Sequence, residues 1–332
     1  MTKIIIYHPV MLPVLHYGGT ERVVMWLAQT LHNMGHKVAV FAAPGSKMPE
    51  GIECITDRGE LLRRAPEFDV LHGATRPDDE IIKAIQGRVL VTIHGNGKPG
   101  EKFHPNTVFI SRNHARRHGA SVFVYNGIDI SELIISKNER PNRFLFLSKT
   151  SWRVKNLKGA VRFLSKFKQN FWIAGGDRPY WIRVFVWIKK LMGQDWKWVG
   201  SVDQKSKAEF LLAGKAMVFP ILWNEPFGLV VIEALACGTP VLANPHGSLA
   251  ELLEFAPQCL MKNEQDWKEA LTGARKFPTP EECRAWVEAH FTQEKMAENY
   301  LKLYELVKAG KPLHDHELET LVGAEDISGV IA

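Results

Sequence analysis

The stretch Ala216–Gly238, A-M-V-F-P-I-L-W-N-E-P-F-G-L-V-V-I-E-A-L-A-C-G, restricts what this chain can fold into more than any other. Ala216 to Leu222 is a continuous apolar run, and its β-branched and aromatic members Val218, Phe219 and Ile221 mark it as a buried parallel strand. Asn224, Glu225 and Pro226 then supply a turn and a helix start, with Pro226 near the first helical position, where its missing N–H costs nothing. Gly238 and Pro240 stop the helix, and Thr239 to Ala243 begins the next strand. A strand, a tight turn and a helix N-terminus turn free backbone N–H groups and a positive dipole end toward a ligand, so an anion such as a phosphate belongs there. Gly228 has no Cβ and lets that ligand approach the backbone closely.

Two carboxylates frame the element. Glu225 stands just before the helix and Glu233 about two turns into it. Beside a phosphate they would repel it, so their partners are neutral hydroxyls, such as those of a ribose and a hexose. That combination describes a nucleotide-sugar. An ordinary amphipathic core helix carrying two surface glutamates is the plainer reading of the same residues.

The context is a regular alternation. Lys3–His8, Lys37–Ala42, Phe68–Leu71 and Arg88–Ile93 read as strands, with helices from Gly18-Gly19-Thr20-Glu21 to Gly35, over Gly59–Arg64 and over Asp78–Ile85. Strands alternating with helices argue for a parallel, doubly wound sheet whose ligands bind beyond the carboxyl ends of the strands. The glycines Gly18 and Gly19 build a second anion pocket there, or a plain strand–loop–helix turn. His94, in T-I-H-G-N, sits at the same edge. At 332 residues and 45% apolar content, the chain has material for two domains at about 150 residues each. The polar run Ser136–Arg143 is the best linker. Phe144–Ser148, Phe171–Gly176 and Lys197–Val202 continue as strands, with helices over Leu157–Phe167 and Asp203–Ala213.

Several classes drop out. No apolar run approaches the ~20 residues that span a bilayer, and Met1–Pro9 enters a strand with no cleavable signal. Cys54, Cys237, Cys259 and Cys283 are scattered without a C-x-x-C pair, which fits a reducing cytoplasm. The formal net charge of +6 attracts anions without choosing among them. Between Arg178 and Trp198, aromatics alternate with cations. The segment is either a membrane-surface helix or a deeply buried one. No D-x-D motif is present, and His314-Asp315-His316-Glu317 lies in a polar tail expected to be solvated, so no metal or other cofactor is expected.

Glu225 to Glu233, with E, P-F-G and E at this spacing, resembles the E-x7-E signature of the retaining glycosyltransferase family 4. Weaker matches surround it in order: G-G-T-E at 18–21, His94, N-G-I-D at 126–129, Lys155-Asn156, F-W-I-A-G-G at 171–176 and P-H-G-S-L-A-E-L at 245–252. The family carries Gly-Arg where Leu147-Ser148-Lys149 stands here, so the arginine's duty falls to Lys149 or Arg153. The resemblance implies an α/β chain of the GT-B fold, two doubly wound Rossmann-like domains facing a cleft: an acceptor-side domain at 1–140, a nucleotide-sugar domain at 141–290, a helix at 291–310 crossing back to the first domain, and a flexible tail at 311–332. It also implies roles. Glu233 would hold ribose hydroxyls, and Glu225 with the backbone of Phe227, Gly228 and Leu229 would hold the sugar. Lys155, with Lys149, would stabilise the departing diphosphate, helped by Gly18 and Gly19; Val199 would lie near the base; His94 would line the reacting centre. The implied activity is retaining hexosyl transfer, without metal, from a UDP- or GDP-sugar to a saccharide or lipid-linked acceptor. A GT-B epimerase and a non-catalytic nucleotide-sugar binder are the rivals. Nucleic acid is not an expected partner.

Overall fold

The computed structural model describes residues 1–14, 18–131, 133–136, 139–176 and 179–326. They form two compact units, Met1–Asp129 with Phe291–Gly323, and Ile130–His290 with the chain from Ala324 onward. The chain passes between units at 129/130, 290/291 and 323/324. The last passage was not expected from the sequence.

Unit 1 begins with β1 (Lys3–Tyr7), α1 (Gly19–Asn33), β2 (Lys37–Phe41) and β3 (Glu53–Ile55). It continues through α2 (Arg58–Arg64), β4 (Val70–Gly73), α3 (Asp79–Ala84), β5 (Val89–Ile93), β6 (Lys102–Phe103), β7 (Thr107–Phe109) and α4 (Arg112–Arg117). Six strands make a sheet in the order β3-β2-β1-β4-β5-β7, each neighbouring pair parallel. Ile4–Ile6 of β1 and Val89–Val91 of β5 are apolar and buried on both faces, as a sheet covered by helices requires. Side-chain caps start the short helices: Asp57 accepts from the Glu60 N–H and Asp78 from the N–H groups of Glu80 and Ile81.

Unit 2 contains β8 (Phe144–Leu147), α5 (Leu157–Lys166), β9 (Phe171–Ala174), α6 (Tyr180–Leu191), β10 (Trp196–Gly200) and α7 (Gln204–Leu212). After these come β11 (Ala216–Phe219), α8 (Leu229–Ala236), β12 (Val241–Ala243), α9 (Leu249–Leu252), α10 (Glu264–Thr272) and α11 (Pro280–His290). Its parallel sheet runs β10-β9-β8-β11-β12. Gly175 joins β9 to its neighbours: at φ 128°, an added Cβ would lie 1.8 Å from the Ser148 carbonyl oxygen, so only glycine fits. The core gathers Phe144, Phe146, Phe171, Trp196 and Val218 with the inner faces of α5, α6 and α10.

In unit 1 the chain ends with α12 (Gln293–Lys308) and β13 (Leu318–Glu319). On α12, Tyr304 Oη lies 2.7 Å from His72 Nδ1, and Tyr300 Oη 2.9 Å from Thr92 Oγ1, fastening the helix to β4 and β5. The following residues depart from the solvated tail read from their polarity. Leu318 pairs antiparallel with Phe103, His314 is buried with Nε2 2.9 Å from the Thr107 carbonyl, and the Leu321 N–H donates to the Arg117 carbonyl at 2.8 Å. Main-chain pairing, which residue type does not advertise, holds this segment.

Candidate active site

In unit 2 the strand order reverses between β8 and β11, and ligands of doubly wound sheets settle at such a switch point. The loops after those two strands carry Lys149, Arg153 and Lys155 on one side and Glu225 to Gly228 on the other. They are tied together. The Leu222 N–H donates to the Val154 carbonyl at 2.8 Å, and Asn156 Nδ2 donates to the Pro220 carbonyl at 2.7 Å. Asn156 adopts the left-handed conformation at φ 57°, and its Oδ1 accepts from the Gly159 N–H to cap α5.

The tie brings together residues 70 positions apart. Lys155 Nζ lies 2.6 Å from Glu225 Oε2, with side-chain exposures of 8% and 9%. The same oxygen accepts from the Trp223 indole N–H at 2.7 Å, and the Lys155 ammonium also lies over the Trp223 ring, 4.8 Å from its centroid. Trp223 meets Trp152 edge-on at 6.2 Å, and Lys149 stacks over Trp152 at 4.8 Å. Arg153 is exposed at the start of a single 3-10 turn that ends with Lys155.

The helix begins later than its sequence signals. Pro226 is buried in the loop, and α8 starts at Leu229 behind Gly228. Gly228 has φ 100°, a backbone state closed to most L residues, so the helix cannot begin at Pro226. A second loop sets this geometry. The Ser248 N–H donates to the Glu225 carbonyl at 2.9 Å, and Ser248 Oγ donates to the Phe227 carbonyl. Gly247, at φ 64°, packs so closely that an added Cβ would be 2.3 Å from the Glu225 backbone N and O. Phe227 is buried, and the first N–H groups of α8, which have no intrahelical acceptor, lie just beyond it.

Glu233 is 2% exposed on α8, and Lys207 Nζ of α7 lies 2.7 Å from its Oε1. Sequence reading passed over Lys207 and Trp223. A lysine in an exposed-looking helix, 26 residues away, carries no local sign of its partner. Trp223 stands two residues before the motif, and its indole N–H, which seeks an acceptor when buried, was the available sign. Val199 sits 36% exposed on the edge strand β10. In the same unit, the Asn224 N–H donates to the Ala324 carbonyl and Nδ2 to the Asp326 carbonyl, both at 2.7 Å.

In unit 1, Gly18 caps α1 next to Val14 and Glu21, where a Cβ would approach them to 2.5 and 2.7 Å. Gly19 is the first residue of α1. His94 follows β5 and lines a small cavity with His72, Tyr300 and the apolar Ile6, Val23 and Leu27. Burial, then the neighbouring His8, pushes the His94 pKa down to about 3, so its ring is a neutral hydrogen-bonding group at ordinary pH. Two buried histidines, His114 and His118, hold the loop after it. His118 Nε2 accepts from the Gly97 N–H at 3.1 Å, which puts the ring proton on Nδ1, donating to the His114 carbonyl at 2.7 Å. Among the described residues, no three His, Cys, Asp or Glu side chains gather as metal ligands would.

Two parallel α/β units, one carrying a strand–turn–helix flanked by buried glutamates at its switch point, make up the GT-B fold. The chain belongs to the glycosyl transferases group 1 family, whose match covers residues 130–305; this is the family 4 that Glu225 to Glu233 resembles. AviGT4, a glycosyltransferase involved in avilamycin A biosynthesis, superposes with a TM-score of 0.72 at 22% identity, covering 93% of this chain and 99% of that one. Anabaena HepE, solved in complex with UDP-glucose, gives 0.67 at 16% identity over 93% and 100%. An uncharacterised 42.6 kDa protein in the cps region of Klebsiella pneumoniae is 32% identical over 96 residues, 29% of this chain and 24% of that protein. The chain spans between 19% and 34% of the lengths of the first curated relatives it matches.

Proposed function

We propose that this glycosyltransferase moves a hexose, with retention of configuration, from a UDP-hexose to a saccharide or lipid-linked acceptor in cell-envelope polysaccharide synthesis, in the cytoplasm. The Lys155–Glu225 pair carries the reading. A glutamate at a phosphate site would repel the phosphate, but one already neutralised by a buried lysine adds no net charge. The α8 N-terminus, Lys149 and Arg153 then leave the switch point favourable to a diphosphate. Glu225 keeps lone pairs for sugar hydroxyls, as Glu233 does for the ribose. When the bond from C1 to the diphosphate breaks, the leaving oxygen takes the proton of the acceptor hydroxyl, whose oxygen bonds C1 on the same face. Cations at the leaving group stabilise that charge. The UDP-glucose complex of HepE supports the donor; the acceptor class is carried over from the family resemblance of the sequence.

A thermal-shift and slow-turnover panel of UDP-, GDP- and ADP-sugars, on the wild type and Glu233→Ala, tests the proposal. Stabilisation by UDP-sugars, lost in the variant and accompanied by sugar release, is expected. Product formed from donor alone as an epimer, or no stabilisation by any nucleotide class, would overturn it.

A further inference from the structure

The helix α6 has two apolar faces. Ile182 and Val186 are buried, and Trp181 and Phe185 pack with them into the unit 2 core. This fixes the roll of the helix. Its outer side then carries Tyr180, Val184, Trp187 and Leu191, spaced four, three and four residues apart, and so forming one stripe. Tyr180 is 79% exposed, Trp187 62% and Leu191 68%, with Ile188 and Met192 exposed beside them. Arg183 and Lys190, seven residues apart and both exposed, flank the stripe along one edge. Lys189 does not join them: it is buried, with its ammonium near the Phe185 and Trp196 rings.

Twelve residues are too few to cross a bilayer, but an apolar stripe edged by cations, with Trp and Tyr on it, suits the boundary between lipid headgroups and acyl chains. We propose that α6 lays this stripe into the surface of a bilayer containing anionic lipid. Charge selects that occupant over a second copy of the chain. The helix contains no Asp or Glu, and nearby Asp195 is already engaged by the Trp172 indole N–H at 3.0 Å and by Arg143 at 3.2 Å. A self-paired stripe would therefore bring Arg183 and Lys190 of two copies together with no carboxylate from the described residues of the helix between them. Lipid phosphates complement both. The contact goes beyond the transferase reading and needs no donor.

Co-sedimentation of the full chain with phosphatidylcholine vesicles, with and without phosphatidylglycerol, tests it. The wild type is expected to partition onto the phosphatidylglycerol vesicles, less so at high salt. Trp187→Ser with Leu191→Ser should lower the partition coefficient about tenfold or more. Arg183→Gln with Lys190→Gln should lower it about fivefold per charge, on the anionic vesicles alone. Both variants alter exposed side chains, so thermal unfolding and any UDP stabilisation should match the wild type. Equal partition of wild type and variants, no partition of the wild type, or a wild-type dimer that the serine variant dissociates without vesicle binding would each overturn the proposal. Loss of UDP binding in wild type and variants alike would count against the donor reading and leave the lipid result standing.

Discussion

Lys155 Nζ meets Glu225 Oε2 at 2.6 Å, with both side chains less than a tenth exposed. Removing one member of such a pair leaves the other buried and uncompensated, at a cost of about 3–5 kcal/mol. Lys155→Met is therefore expected to lower unfolding stability by that amount. Glu225→Gln in the same chain should restore most of it, because two neutral groups remain. Chemical denaturation of the two single variants and the double variant measures the coupling. If the double variant recovers stability but not sugar release, the pair has a role at the diphosphate beyond holding the loops.

Lys207 and Glu233 form the second buried pair, at 2.7 Å. Glu233→Gln keeps the volume and removes the charge. A hydrogen bond from a hydroxyl to a charged group is worth about 1.5–3 kcal/mol, so UDP affinity should fall about tenfold or more. Lys207→Met should weaken UDP binding by less and lower stability by more, since it leaves the Glu233 carboxylate without that donor, whereas the amide oxygen of Glu233→Gln can still accept from Lys207. Isothermal titration with UDP, alongside denaturation, separates the two. A full loss of UDP binding in Lys207→Met, equal to that of Glu233→Ala, would mean the lysine itself meets the nucleotide.

Gly247 holds the loop beneath Glu225. Alanine there would force φ 64° on an L residue and press a Cβ to 2.3 Å from the Glu225 backbone. Strain of that kind costs about 1–3 kcal/mol, and overpacking adds about as much. Gly247→Ala is expected to lose roughly 3 kcal/mol or more and to impair UDP stabilisation through displaced backbone at Glu225 to Gly228. Gly273→Ala is the control: it also has positive φ, at 88°, but no atom lies within 4 Å of its Cβ, so it should lose stability through strain alone and keep UDP stabilisation.

Local chemistry was legible and long-range pairing was not. The run Ala216 to Leu222 announced its strand, and Leu229 to Ala236 its helix, because burial on both faces leaves an unbroken apolar pattern. Placing Pro226 in the first turn followed a sound local preference, but Gly228 and the Ser248 contacts, some twenty residues on, overrode it. Lys155 was readable as a cation in a strand-to-helix loop; its ion pair with Glu225 was not, since no residue near 155 encodes a partner at 225. The polar segment after Gly310 shows the same limit, for backbone pairing with Phe103 holds Leu318. Membership of the family was readable because the E-x7-E spacing is local.

Unit 1 carries a pH response that follows from its buried histidines. Burial pushes the pKa of His72 and His94 down to about 3 and that of His118 to about 4, and lowers His114 as well. In each case the folded state prefers the neutral ring, so it binds fewer protons than the unfolded chain. A depressed folded value means the stability is fully present above the unfolded pKa of about 6.5 and is lost as pH falls toward the folded value. The buried His72 and His118 should thus each withdraw on the order of 1–2 kcal/mol by pH 5. His118 has a second reason to stay neutral, since protonating Nε2 removes the acceptor of the Gly97 N–H. Hydrogen exchange of unit 1 amides, read by mass spectrometry between about pH 7 and 5 and corrected for intrinsic rates, should show protection around Gly95 to Gly97 falling with acid. His118→Gln, whose amide oxygen can accept but does not titrate in this range, should flatten that slope; an unchanged slope would mean that other groups, carboxylates first, govern the acid limit.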